Sequence, residues 1–325
     1  ILDCGGGTID AACIEIETSS GDLSELHHGD GIRAGGLDVD KEFAELLQKL
    51  FPSDMISKVM KEQPAQWMRQ KNEFVLTKFS LPWDLDDLWN VPFAFGINQI
   101  LAKYRRKQRK DPTYNNIKNT IESYEIPDYS TRYALHQKQD EDDEDVDVKN
   151  EQEEQPNAAE SKMVTGAFKL GRGNLKIYKA GWLYLHEAVL HKIVSFMHEL
   201  FDHGKVQGCE KVIVLGGFAN SKYLMNRLLL QFPDKKFFAP RQPHLAVVKG
   251  ALYWICQRRK LRKTRAKYSY GIAIDRRFRN DVDPEERKKI IPGIGAVVEN
   301  VFGTLVERNA EYEDGHTQTF DYWIP

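Results

Sequence analysis

The stretch Asp3-Cys4-Gly5-Gly6-Gly7-Thr8-Ile9-Asp10 decides how this chain is read. Apolar residues flank it, so residues 1–4 read as the end of one buried strand and Ile9–Glu17 as the next, with the glycines as the turn between them. Consecutive glycines let backbone N–H groups approach an anion without obstruction by Cβ atoms, and the Thr8 hydroxyl adds a donor. Asp3, at a strand end beside such a cradle, suits the water shell of Mg²⁺ or the orientation of an attacking water. A tight glycine hairpin with a capping Asp is the plainer reading of the same eight residues.

Working outward, Ser19-Ser20-Gly21-Asp22 signals a turn and Leu23–His27 a third strand. Gly35-Gly36 precedes a helix carrying Val39, Phe43, Leu46, Leu47 and Leu50 at helical spacing, with Asp38 as its N-cap and Pro52 closing the block. Gln66–Phe79 reads as helix, Leu81–Gly96 as aromatic and irregular, and Lys103–Lys110 packs six basic residues into eight. Residues 140–154 hold ten acidic residues in fifteen. Such a run repels itself, so Gln137–Lys162 is expected to be a disordered insertion.

Regular patterning resumes with Leu185, Val189, Ile193, Phe196, Met197 and Leu200 on one helix face. A second glycine turn follows in Val212-Ile213-Val214-Leu215-Gly216-Gly217-Phe218-Ala219-Asn220-Ser221: a buried strand, a glycine pair, then a helix start over Ser221–Gln231. A short strand at Lys236–Ala239, a helix carrying Leu245, Val248, Leu252 and Ile255, and a strand at Tyr268–Ile274 come next. The remainder, punctuated by Gly and Pro, reads as a small unit of turns and short strands. Strand and helix alternate, which favours an α/β layered core. Two glycine turns about 200 residues apart in such a chain suggest a nucleotide held between them.

Composition narrows the function classes. With 325 residues, 41% of them hydrophobic, the chain can bury a sizeable core. Its 46 Lys+Arg against 48 Asp+Glu argue against a surface built for nucleic acid. Cys4, Cys13, Cys209 and Cys256 lie too far apart for a zinc site or a disulfide framework and suit a reducing compartment, so the expected location is the cytoplasm, with the nucleus as the alternative. No apolar run approaches a membrane span, and none is expected to insert. The basic stretches Lys103–Lys110 and Arg258–Lys267 read as solvated helix faces, or as partners of the chain's own acidic run, rather than as a nucleic-acid or lipid surface. His27, His28, His186, His191, His198 and His203 lack ligand spacing and read as surface histidines, while Trp182, Trp254 and Trp323 read as packing residues. The chain opens on Ile1-Leu2-Asp3 without Met, and it is expected to be the later part of a longer protein.

The motifs resemble those of the seventy-kilodalton heat-shock (Hsp70-type) ATPases, within the actin and sugar-kinase superfamily. Asp3–Asp10 is similar to that family's second phosphate motif and Val212–Ser221 to its adenosine motif. Pro243–Ala251 is similar to the helix that follows, and Ala34-Gly35-Gly36-Leu37-Asp38-Val39-Asp40 to its glycine pair and acidic helix start. Gly-Gly-Phe-Ala-x-Ser together with Tyr268-Ser269-Tyr270-Gly271-Ile272 resembles the divergent twelve-A/twelve-B branch.

The resemblance implies an actin-like (ribonuclease H-like) ATPase fold, mainly its second lobe, with ATP and Mg²⁺ as cofactors and an unidentified protein partner or client. The lobe would be built from residues 1–51 and 181–260, with an inserted subdomain at 52–180 and a small unit at 261–325. Asp3, Thr8 and Asp10 become the catalytic candidates, Asp3 holding Mg²⁺ through water. Gly5, Gly6, Gly7, Thr8, Gly35, Gly36, Lys78, Gly216, Gly217, Phe218 and Asn220 become the nucleotide contacts. Departures from the family pattern are Asn220 in place of the adenine-stacking arginine, His244 in place of an acid, and Val75-Leu76-Thr77-Lys78 in place of the acid-x-x-Lys clamp, with Glu73 two residues early.

Three functions are consistent with this reading: a nucleotide-dependent, chaperone-related switch with weak hydrolysis, an ATP-binding scaffold or sensor without turnover, and a small-molecule kinase. The family's first phosphate motif and its catalytic lysine lie upstream of the second motif. The 325 residues alone are therefore expected not to turn over ATP, because phosphoryl transfer needs both lobes.

Overall fold

The computed structural model describes residues 1–19, 22–81, 88–110, 116–130, 162–257, 261–313 and 317. The acidic run lies outside these residues, as do most of 137–162, Ser20-Gly21 of the first turn, and Trp323.

Short apolar runs separated by glycine turns give three strands in succession: β1 (Leu2–Cys4), β2 (Ile9–Ile16) and β3 (Leu23–Ile32). Helices α1 (Gly36–Leu50), α2 (Ser53–Glu62) and α3 (Pro64–Ser80) follow, then β4 (Trp89–Pro92), α4 (Phe95–Lys110) and α5 (Ile117–Glu122). Next come β5 (Ile126–Pro127), β6 (Met163–Val164), β7 (Phe168–Leu170), β8 (Asn174–Ile177) and the long helix α6 (Lys179–Asp202). The chain continues through β9 (Lys211–Leu215), α7 (Lys222–Gln231), β10 (Lys236–Phe238), α8 (Ala246–Gln257) and β11 (Leu261–Arg265). It ends in β12 (Tyr270–Arg277), β13 (Lys289–Ile291), β14 (Gly295–Val306) and β15 (Glu311–Glu313).

The central sheet runs β10-β9-β1-β2-β3-β11-β15. β1 is parallel to β9 and antiparallel to β2, so two strands 200 residues apart in sequence end side by side. Alternation along these strands sends Leu2, Cys4, Ile9, Ala11, Val212 and Val214 into one core with the buried faces of α1, α6 and α7. On the opposite face, Asp10 and Ile213 are exposed and Asp3 is half-buried. The predicted face of α6 is the buried one, and each of its large apolar residues stabilises by roughly 1.5–3 kcal/mol. A buried ion pair, Glu187 with Arg227 at 3.6 Å, ties α6 to α7.

Several expectations are corrected. The N-cap of α1 is Gly35, not Asp38; Asp38 sits in the first turn and its Oδ2 accepts the Gly35 N–H at 3.0 Å. Gly35 takes the cap because its backbone presses on the carbonyl oxygens of Gly5 and Gly6, where a Cβ has no room. A strand, β4, lies inside the stretch read as irregular. The third strand runs past His27 to Ile32, because Asp30, Gly31 and Ile32 pair with Ala11, Asp10 and Ile9 of β2; His27 and His28 are buried, and His28 Nδ1 meets Asn309 Oδ1 at 2.5 Å. His186 is also buried, so three of the histidines read as surface residues are interior.

Part of the second basic stretch is a strand, β11, paired with β3 and β15, with Lys263 and Arg265 on Glu311. Trp182 packs in the core beside Phe74. Trp254 is half exposed and does not, for α8 carries Val248, Leu252 and Ile255 in the open at 60–72% exposure. Strands β12, β14 and β13 form a separate three-stranded sheet, with Val297 and Val298 buried.

Candidate functional site

Strand pairing builds the site. Asp3 stands opposite Asp10 on β2 and beside Leu215 on β9, so the turns Gly5–Thr8 and Gly216–Phe218 emerge next to one another at the carboxyl ends of parallel neighbours. Gly216 has φ +84°, and a Cβ there would strike the Cys4 carbonyl oxygen and stand 2.5 Å from Asp3 Oδ1. Only glycine allows the two turns to approach this closely. The Gly216 N–H donates to the Pro243 carbonyl at 3.1 Å, which brings the loop before α8 to the same place.

The third glycine pair arrives from behind. Gly36 and Leu37 donate their N–H groups to the carbonyls of Gly5 and Gly6 at 3.2 and 2.8 Å. The first turn of α1 is thereby spent on holding the Gly5–Thr8 turn, and Gly35 and Gly36 offer no free donors to an anion. The Phe218 ring is buried against Gly36, so Phe218 packs beneath the site instead of lining it. Among the described residues the N–H groups of Gly6, Gly7 and Gly217 have no protein acceptor, and no atom lies within 4 Å of where a Cβ of Gly7 or Gly217 would project. Thr8 is exposed beside them.

Electrostatics single out Asp3. Burial raises its pKa from its ordinary value, and the Asp10 carboxylate on the same face raises it further. Two carboxylates on one sheet face, beside unspent N–H donors, fit Mg²⁺, which takes one or two carboxylates and completes its shell with waters and phosphate oxygens. No group of three or more metal-binding side chains occurs among the described residues. Cys4 is inert: burial, then Asp3, push its thiol well above its ordinary value.

Lys78 and Asn220 behave differently. At the end of α3, the Lys78 ammonium is enclosed, with Nζ 2.5 Å from Asp40 Oδ1 and 2.7 Å from the Gly36 carbonyl. Burial lowers its pKa and Asp40 opposes the shift. Lys78 thus reaches the glycine turn only through Gly36. Asn220 ends a one-turn 3₁₀ segment, Phe218–Asn220, that separates the glycine pair from α7, and its Nδ2 donates to the Gly217 carbonyl at 3.2 Å. Ser221 then caps α7, accepting the Leu224 N–H at 3.4 Å. Asp40 and Pro243 were not singled out as site residues from sequence. Asp40 carried a signal, an acid in the first turns of the helix that receives Lys78. The Pro243 carbonyl carried none.

A layered α/β protein with glycine turns at the ends of adjacent parallel strands and a carboxylate pair beside them has the makings of a phosphate-binding site. No family model matches the chain. It is 22% identical over 294 residues to heat shock 70 kDa protein 12A of Mus musculus, which covers 90% of this chain and 37% of that relative, and the human protein of the same name matches over the same span. Human heat shock 70 kDa protein 12B is likewise 22% identical, over 295 residues. These relatives are the divergent Hsp70-like branch that the motifs resemble. The chain spans little more than a third of their length.

Proposed function

We propose that this chain is the second lobe of an actin-like ATPase and forms one wall of an ATP·Mg²⁺ cleft that works as a nucleotide-dependent switch. The convergence of Gly5–Thr8 and Gly216-Gly217 at one sheet edge carries the reading. Gly6, Gly7, Gly217 and Thr8 supply donors to phosphate oxygens, and Asp3 and Asp10 hold the waters of the cation. Bound ATP·Mg²⁺ supplies the phosphoanhydride and the charge that neutralises the carboxylate pair. Gly35, Gly36, Lys78 and Asp40 are positioning residues that keep the glycine turn in register. Lobe boundaries at 1–51 and 181–260, a chaperone-related role, a protein client and a cytoplasmic location belong to the same proposal.

A second reading, ATP binding without turnover, is supported by Lys78: its ammonium is committed to Asp40 and the Gly36 carbonyl, so the lysine of the Val75–Lys78 stretch is not free to clamp a purine. Calorimetry with ATP·Mg²⁺ on the 325 residues and on a chain extended upstream, set beside single-turnover hydrolysis, tests both. The switch requires hydrolysis by the longer chain only. Steady turnover by the 325 residues, lost in Asp3→Ala, would refute the two-lobe requirement. Absence of binding by either chain would remove the nucleotide reading altogether.

A further inference from the structure

A second site lies away from the glycine turns. Between α4, α5 and the β7–β8 hairpin is an open cavity of about 540 Å³. Five cations face it: Arg105 from α4, Lys118 from α5, Lys169 from β7, Arg172 from the turn and Lys176 from β8, and among the described residues no acidic side chain lines it. Lys169 and Lys176 are direct cross-strand partners, so their side chains share one face of the hairpin. Like charges so placed destabilise a strand pair. Among the described residues neither lysine has an ion pair, nor does Arg172, and Lys118 finds only Glu122 at 4.0 Å, one helical turn away. Arg105 Nη2 donates to the Gly171 carbonyl at 3.0 Å, which pins its guanidinium to the turn while other N–H groups remain available.

A protein surface ordinarily disperses five such charges or pairs them, because their mutual repulsion costs stability. Here the hairpin register gathers them around a concavity of ligand size. One phosphate would leave most of that volume empty. The lining strands are only three and four residues long, too short to track an extended polymer but well matched to a compact one. Two guanidinium groups add the planar fork that recognises phosphate in pairs of hydrogen bonds.

We infer that this cavity binds a compact ligand carrying several phosphate groups on one small frame, of the inositol-polyphosphate class, either free or as the headgroup of a lipid. The site is independent of the nucleotide cleft.

Calorimetry of the 325-residue chain with inositol hexakisphosphate at 0.15 M salt tests this, run in parallel on a chain whose ten acidic residues at 140–154 are changed to amides, which removes competition from the chain's own anions. One-to-one binding is expected, weakened at least tenfold in Lys169→Gln/Lys176→Gln and unchanged in Lys41→Gln/Lys58→Gln, a charge-matched control on α1 and α2. The thermal midpoint of the hairpin variant should equal or exceed that of the parent, since a like-charge pair is relieved, which separates loss of binding from loss of fold. Vesicles with and without phosphatidylinositol bisphosphate distinguish the sources: binding to vesicles and to the free probe assigns a headgroup, and binding to the free probe alone assigns a soluble ligand. Equal weakening in the control variant, no binding by either chain, or tighter binding of a single-stranded oligonucleotide through the same five residues would overturn the inference.

Discussion

In the proposed site, Asp3 sets ligand binding against stability at one residue. Its carboxyl is half-buried and faces Asp10, so its pKa is raised. A raised carboxyl pKa favours the fold while the group is protonated and loses that contribution as pH rises through the folded-state value. Asp3→Asn should therefore melt at a higher temperature than the parent at pH 7, with the gap closing as pH falls below the ordinary carboxylate range. Mg²⁺ should raise the melting temperature of the parent and not of the variant. A drop in stability on substitution at neutral pH would contradict the electrostatic account.

The glycines divide the same way. Gly216→Ala strains a positive φ and strikes the Cys4 carbonyl, so it should cost at least about 1–3 kcal/mol in denaturant unfolding. Gly7→Ala, which meets open space, should stay within about 0.5 kcal/mol of the parent and weaken only nucleotide binding. His186 adds a pH signature. Burial, reinforced by Lys78 and opposed by the bond from its ring to the Trp182 carbonyl, lowers its pKa to about 4. As pH drops from 6.5 towards 4 the unfolded chain takes a proton that the folded chain refuses, removing about 3 kcal/mol. His186→Phe should lose less over that window.

Among elements, α6 and α8 make the contrast. Both are apolar, yet α6 is enclosed by α1, α7 and the sheet while α8 leaves Val248, Leu252, Trp254 and Ile255 exposed. Leu190→Ala on α6 should cost about 2–5 kcal/mol, as expected for an enclosed leucine. Leu252→Ala on α8 should change stability by no more than about 0.5 kcal/mol. Equal costs in urea unfolding would show that α8 is covered. Periodicity found both helices because it reports where apolar side chains point along a helix. It is silent on whether a neighbour stands there, and Trp254, read as a packing residue, is half exposed.

For the whole molecule, the sheet order is the decisive feature. Strand β9 inserts beside β1 and brings two glycine turns and a carboxylate pair to one edge, which is the geometry the proposed ATP·Mg²⁺ cleft rests on. Sequence alone determined the strands and glycine turns around Asp3–Asp10 and Val212–Ser221, the α6 core face and the likeness to Hsp70-type motifs, since each depends on residues close together in the chain. Tertiary structure alone decided that Gly35 rather than Asp38 caps α1, that Lys78 is held by Asp40, that Phe218 lies beneath Gly36, and that five cations share one cavity. Each of those facts depends on what stands opposite a residue across a sheet or between helices. A chain's local pattern fixes which way a side chain faces, and only packing fixes what it meets.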